Sequence, residues 1–162
     1  MERYVHFDRK ERKAGIADKI MSALKRREAR EIVVGLLFES EFREDESYVE
    51  IFSRSVEERE IPEDTYVKTA YYTVFEKKQE IDDCIGTHAH GWRTDRMSKL
   101  SRSILRLAVY EMLYEEKIPY NVSINEAVEL AKKFDDDRAR PFINGILNSI
   151  KNELEASAKA TD

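Results

Sequence analysis

Cysteine, proline and glycine are scarce in this sequence of 162 residues, which has one Cys, three Pro and five Gly. Because Cys84 is the single thiol, the chain cannot form an internal disulfide, which fits the reducing environment of the cytoplasm. So few glycines and prolines provide little material for the many tight turns of an all-β fold. The composition therefore argues against an all-β protein.

Long apolar stretches are also missing, since no run approaches the roughly 18 residues that cross a bilayer. The charged N-terminus lacks the apolar segment of a signal peptide, so we expect a cytoplasmic protein with no membrane association. Apolar residues make up 41%, enough for a core, and charged residues make up 38%, as on long solvated helix faces. The length suits one domain, or two small subdomains that share a core.

The charge is unevenly distributed along the chain. Residues 1–30 contain ten Lys/Arg and five Asp/Glu, a net charge of +5, whereas the remainder contains 18 and 28 and carries −10. A basic end on an acidic body is expected where one edge meets a polyanion. A solvated basic tail explains the same asymmetry.

Three apolar segments with helical spacing follow one another between Ser98 and Ile150. Pro119 is predicted to end the first, because proline has no N–H and forces its predecessor to be extended. Ser123 and Glu126 form a possible capping box at the start of the second, and Pro141 suits the first turn of the third. The isolated Gly145 indicates close approach of two helices there.

The N-terminal part of the chain has weaker but similar periodicity. We predict helices over residues 22–42, 47–58, 63–78 and 80–89, a turn over 90–93, and a tail that frays after Leu154. The expected fold is all-α, with two small helical-bundle subdomains over about 21–90 and 91–155. Residues 1–20 form an N-terminal extension, disordered or a frayed helix, and residues 156–162 form the tail.

No catalytic constellation is visible in the sequence. Metal-ligand residue types cluster only once, and Cys84 and His88 there have the i, i+4 spacing of one helix face. No second ligand group with suitable spacing occurs, and no glycine-rich phosphate loop is present. We therefore expect no enzymatic activity, no metal and no cofactor, and a helical enzyme using Cys84, His88 and His90 is the disfavoured alternative.

The basic cluster of Lys25, Arg26, Arg27 and Arg30 is the more specific signal. It opposes the helix dipole at the start of a predicted helix, which indicates a purpose other than helix stability. Arg26, Arg27 and Arg30 can share one face, and arginine offers a planar fork of donors suited to phosphate. A solvated helix end explains the cluster equally well.

Single-stranded RNA is typically held by such cations together with aromatic side chains on which bases stack. Phe38, Tyr66 and Phe142 are candidate stacking residues. For each of them ordinary core packing is the alternative, and the residues alone favour it.

The segment 25–39 (KRREAREIVVGLLFE) resembles the N-terminal pattern of the NusB family of bacterial transcription antitermination factors. The segments 104–111 (ILRLAVYE), 124–132 (INEAVELAK) and 142–147 (FINGIL), with Ile118 and Pro119 between the first two, are similar to its C-terminal signature in order and spacing. The resemblance extends from about Ser22 to Leu154.

This resemblance implies an all-helical, non-catalytic adaptor without a cofactor. It implies binding of the boxA element of ribosomal RNA operon transcripts, as single-stranded RNA, together with NusE, a ribosomal protein of the small subunit. The complex is expected to join RNA polymerase with other Nus factors. A related alternative is a protein and ribosomal RNA interaction module that acts in ribosomal RNA maturation, as in the NusB-type appendages of ribosomal RNA methyltransferases.

By the same resemblance, Lys25, Arg26, Arg27 and Arg30 are the RNA-contacting basic residues. Phe38, Tyr66 and Phe142 stand where the family has aromatic residues near RNA. Two departures are expected to matter: Glu28 interrupts the arginine run, which lowers RNA affinity, and Arg138 replaces an acidic residue at the partner-binding edge. The preferred RNA sequence and homodimer formation stay open.

Overall fold

The computed structural model describes residues 24–90 and 97–160, and within these ranges it contains seven α-helices and no β-strand. The helices are α1 (Arg26–Ser40), α2 (Tyr48–Glu58), α3 (Thr65–Glu76), α4 (Lys78–His88), α5 (Lys99–Tyr114), α6 (Tyr120–Phe134) and α7 (Ala139–Ala160). The prediction of an all-α fold is confirmed. In this part of the chain no helix is long and apolar enough to cross a membrane.

The chain divides into two compact units at Tyr72, within α3. In the first unit α1 packs against α2, and α1 contributes the larger apolar face. Its buried apolar side chains recur at helical spacing and include Ala29, Val33 and Leu36, each no more than 1% exposed. Ser47 caps α2, because its hydroxyl accepts a hydrogen bond from the Glu50 N–H.

Tyr71 joins the three helices of the first unit. Its hydroxyl donates to the Tyr48 carbonyl oxygen at the start of α2, at 2.9 Å, and lies 2.9 Å from Ser40 Oγ at the end of α1. Desolvation of this fully buried side chain raises the pKa of Tyr71 to about 12. The neutral phenol therefore holds the end of α1 near the beginning of α2.

The second unit is built around α5, which packs against α4, α6 and α7. Eleven of its sixteen residues are buried, so α5 has no continuous solvated face. Ile104, Leu105 and Val109 are completely buried. Because α5 is buried around most of its circumference, it needs neighbours on several sides, and α4, α6 and α7 provide them.

Polar side chains fix the neighbours of α5 in register. Arg106 makes two hydrogen bonds of 2.8 Å to the carboxylate of Asp82 on α4, from Nε and Nη2. On the other side the buried Ser123 hydroxyl on α6 donates to Glu111 Oε1 at 2.7 Å. Each buried charge thus has a donor or acceptor within reach, as buried polar groups require.

Two predicted helix boundaries were wrong in the second unit. α5 ends at Tyr114, and Pro119 instead occupies the N-cap position of α6. Ser123 is therefore inside α6 rather than at its start, and its hydroxyl serves Glu111 instead of a capping box. Pro141 does lie in the first turn of α7, as predicted.

Other differences concern the ends of the units. α7 continues to Ala160, so the predicted fraying after Leu154 was wrong for these residues. α4 belongs to the second unit and packs against α5 and α7. A Cβ at Gly145 would meet nothing within 4 Å among the described residues, which contradicts close helix approach there. Residues 1–20 and most of the predicted turn lie outside the described residues.

We predict that Arg106→Ala lowers the free energy of unfolding by about 3 kcal/mol, because it leaves the carboxylate of Asp82 without its bidentate partner. Arg140→Ala is the matched control, since its partner Asp137 has a side chain that is 96% exposed. This control should cost less than about 0.5 kcal/mol. Urea denaturation of both variants measures the difference, and equal losses would contradict a structural role for the Arg106–Asp82 pair.

Candidate nucleic-acid interface

The start of α1 exposes a short run of cations. Lys25 is the N-cap residue, its side chain makes no capping hydrogen bond, and Lys25, Arg26 and Arg27 are all exposed. They precede Ala29, the first buried residue of the helix, so the apolar face begins only after them. The first N–H groups of an α-helix have no intrahelical acceptor, which adds partial positive charge at the same end.

Arg30 differs from the other members of the cluster, because it is only 5% exposed. It follows Ala29 directly and precedes the buried Ile32, so it lies on the inward side of the helix. The shared face expected for Arg26, Arg27 and Arg30 is therefore divided into an exposed head and a buried arginine.

Described arginines further along the first unit are paired with carboxylates. Arg59 Nη2 lies 2.9 Å from Glu39 Oε1, and Arg54 Nη1 lies 2.5 Å from Glu46 Oε2. The hydrogen bond to Glu46 raises the pKa of Arg54 above its ordinary value. Within the described ranges Lys25 and Arg26 have no such carboxylate partner, so their charges are available to an external anion.

Arg26 is nevertheless held in place by an aromatic ring. Its guanidinium carbon lies 4.1 Å from the centroid of the Tyr66 ring at the start of α3, the geometry of a cation–π contact. Tyr66 is only 7% exposed. Tyr66 is therefore not an open platform on which a base could stack, because its ring is buried and Arg26 lies over it.

A second feature lies at the opposite end of α1. Phe38 is half-buried, and its ring packs edge-on against Phe42, with centroids 5.0 Å apart. Phe42 is 62% exposed, more than any other large apolar side chain among the described residues. Such a ring can stack on a nucleobase with little rearrangement, and the sequence reasoning missed it because it treated Phe42 only as the end of a helix.

These observations together describe what the first unit can bind. Cations without carboxylate partners are suited to phosphate oxygens, and a half-exposed aromatic pair is suited to bases. The paired arginines further along the unit are less available for either purpose. The arrangement suits a nucleic acid, which has both phosphates and bases, better than a small anion.

Comparison with known proteins places this chain in a family. The NusB family model matches residues 27–152. The transcription antitermination protein NusB of Bacillus subtilis is 41% identical over 134 residues, which cover 83% of this chain and all of that protein. The chain belongs to the NusB family. The NusB protein of Bacillus pumilus is 42% identical over 132 residues, 82% of this chain and 98% of the relative.

Solved structures agree with this family assignment. NusB of T. maritima has a TM-score of 0.73 at 36% identity and covers 81% of this chain and 93% of its own. A crystal structure of the antitermination factors NusB and NusE in complex with dsRNA matches with a TM-score of 0.70 at 30% identity, covering 79% and 96%.

Two predicted positions of this NusB-family chain lie in the second unit. Phe142 is half-buried in the first turn of α7, and Arg138 is exposed just before that helix. Neither is part of the basic head of α1, so their roles stay predictions. A half-buried Phe142 is compatible both with packing and with contact to a ligand.

The disfavoured enzyme hypothesis concerned α4, where the side chains are engaged within the second unit. His88 Nδ1 lies 2.8 Å from Ser149 Oγ, and His88 Nε2 contacts the carboxylate of Glu153, both on α7. Burial, reinforced by Glu153, raises the pKa of the Cys84 thiol, so its reactive thiolate is disfavoured. Among the described residues no group of three or more potential ligands could hold a metal ion.

We predict that Lys25→Asp raises the free energy of unfolding by about 1 kcal/mol, because aspartate caps a helix and suits its dipole while lysine does neither. Lys25→Ala is the control, since it removes the charge without adding a cap. Thermal denaturation compares the two. If Lys25→Asp destabilises the protein, then Lys25 does contribute to the folded state and the cluster needs no ligand to explain it.

Proposed function

We propose that the chain is a non-catalytic, RNA-binding transcription antitermination factor. The observation that carries this proposal is the exposed head of α1, where Lys25 and Arg26 lack carboxylate partners among the described residues. Cations at the start of a helix do not stabilise the helix, but they favour phosphate binding there. The backbone N–H groups and the cationic side chains can contact the same phosphate. The curated relatives, named transcription antitermination proteins, support the same conclusion.

The proposed ligand is single-stranded RNA of the boxA type from ribosomal RNA operons. Lys25, Arg26 and Arg27 would contact phosphates, and Phe38 with Phe42 would stack on bases, which are accessible only where RNA is unpaired. Buried Arg30 would support the head of α1 from the inside rather than reach the RNA directly. Phe142 is proposed as a further aromatic contact, in the second unit.

The proposed protein partner is NusE, and the complex would act on RNA polymerase with other Nus factors. The solved complex of NusB and NusE with dsRNA supports binding of both ligands by this fold. Because that RNA is double-stranded, the strandedness preferred by this chain is part of the test. The proposed role needs no catalytic group.

A role as an appendage of a methyltransferase is less well supported. The Bacillus relatives, of which the chain covers 98% and 100%, are named transcription antitermination proteins and not methyltransferases. The alternative role in ribosomal RNA maturation would use the same RNA-binding head of α1. The RNA sequence that the chain prefers would distinguish the two roles.

The double variant Arg26→Ala, Arg27→Ala is predicted to weaken binding of boxA-type RNA at least about tenfold, because two charge-assisted contacts are lost. The dependence of log K on log salt should also become shallower by about 0.7 for each lost phosphate contact. Fluorescence anisotropy with labelled RNA, with and without NusE, at two salt concentrations measures both effects. Single-stranded and double-stranded forms of the same sequence should be compared.

The matched control is Lys77→Ala, Lys78→Ala, which removes the same charge from another adjacent, exposed pair. The control should change RNA affinity by less than about twofold. Equal losses in the two double variants would mean that only net charge matters, and would exclude the head of α1 as a specific contact. An unchanged RNA affinity in the Arg26→Ala, Arg27→Ala variant would also exclude the head of α1 as a specific contact.

A further inference from the structure

We propose that Tyr66 is a positioning residue, whose ring holds the Arg26 guanidinium ready to contact phosphate. This inference rests on the proposed function, since it assigns Tyr66 a part in RNA binding. It replaces the expectation that Tyr66 stacks on a base. The ring acts through Arg26 and does not touch the RNA itself.

The geometry of the pair supports this assignment. The Arg26 guanidinium carbon is 4.1 Å from the Tyr66 centroid, within the roughly 6 Å over which a ring face attracts a cation. Tyr66 is buried while Arg26 is exposed. One side of the guanidinium therefore faces protein and the other faces solvent, where its N–H groups can still meet phosphate oxygens.

The ring itself is fixed by the start of α3. Asp64 immediately precedes α3, and its Oδ1 accepts a hydrogen bond of 2.9 Å from the Val67 N–H, which caps the beginning of the helix. The apolar neighbours Val67 and Ala70 are at most 2% exposed. Tyr66 is therefore part of a packed first turn, and its position does not depend on a ligand.

An arginine side chain that is already ordered binds phosphate more tightly than a mobile one. A free arginine side chain has many rotamers, and ordering it on binding reduces affinity. Contact with Tyr66 restricts Arg26 before RNA arrives, while stacking occupies the face of the guanidinium and leaves its edge for hydrogen bonds. The benefit is expected in RNA affinity rather than in the number of phosphate contacts.

A second cation and ring on the same helix provide a control. Lys68 Nζ lies 5.6 Å from the Tyr72 centroid, so Tyr72 also faces a cation. Tyr72 is half-buried and packs on Tyr48 and Phe52 in the same unit. Tyr72→Leu thus removes an aromatic ring from α3 without touching Arg26.

The first experiment needs no RNA. In the NMR spectrum of the full chain, ring currents from Tyr66 should shift the Arg26 side-chain resonances upfield. The shift should persist in Tyr66→Phe, which keeps the ring, and in the Tyr72→Leu control. It should disappear in Tyr66→Leu. Arg26 resonances that are unshifted in the unmodified protein would overturn the proposal.

The second experiment is a double-mutant cycle read out by affinity for boxA-type RNA in the presence of NusE. Tyr66→Leu should weaken binding about two- to fivefold, the range expected for loss of one exposed cation–π contact. Tyr66→Phe should bind like the unmodified protein. In an Arg26→Ala background Tyr66→Leu should have no further effect, because its only route to the RNA has been removed.

The outcomes separate this inference from the proposed function. An equal loss from Tyr66→Leu with and without Arg26 would overturn the positioning role and return Tyr66 to direct contact or to stability alone. Loss of RNA binding in Arg26→Ala without any loss in Tyr66→Leu would overturn the inference while the proposed function stands. If Tyr66→Leu does not fold, the NMR shift in Tyr66→Phe still decides whether the contact exists.

Discussion

Burial of the apolar face of α1 is the constraint on which the candidate site depends. Ala29, Val33 and Leu36 turn one side of the helix inward, and this packed face begins only at Ala29. Lys25, Arg26 and Arg27 precede it and stay exposed, whereas Arg30 follows Ala29 and is buried. The packing of the first unit, more than local charge, thus selects which cations are accessible.

In the second unit, burial of side chains likewise determines the packing, and it is centred on α5. α5 is buried on most sides and is enclosed by α4, α6 and α7. Among its buried polar groups, Arg106 is hydrogen-bonded to Asp82 and Glu111 to Ser123. Breaking such a buried pair leaves a charge without a partner, which costs more than the pair contributes when intact. These contacts therefore fix helix register more than they add stability.

Periodicity predicted the helices because burial on one face leaves a pattern in the chain. Periodicity could not predict that Ser123 lies inside α6. A serine three residues before a glutamate matches the capping-box pattern whether its hydroxyl bonds to a backbone N–H or to Glu111. Periodicity could not divide the arginine cluster either, because i, i+4 spacing does not say where along the helix the packed part begins. The contact of Arg26 with Tyr66, forty residues apart, leaves no local signal, whereas exposed Phe42 could have been found from its spacing to Phe38.

The most direct test is photo-crosslinking of boxA-type RNA to the full chain with NusE, followed by mass spectrometry of the crosslinked peptides. The account predicts crosslinks within residues 25–42, including Phe38 or Phe42, because the strand would run from the basic head of α1 toward these rings. Crosslinks confined to residues 73–160 would contradict it, since the exposed cations of α1 would then have no part in holding RNA.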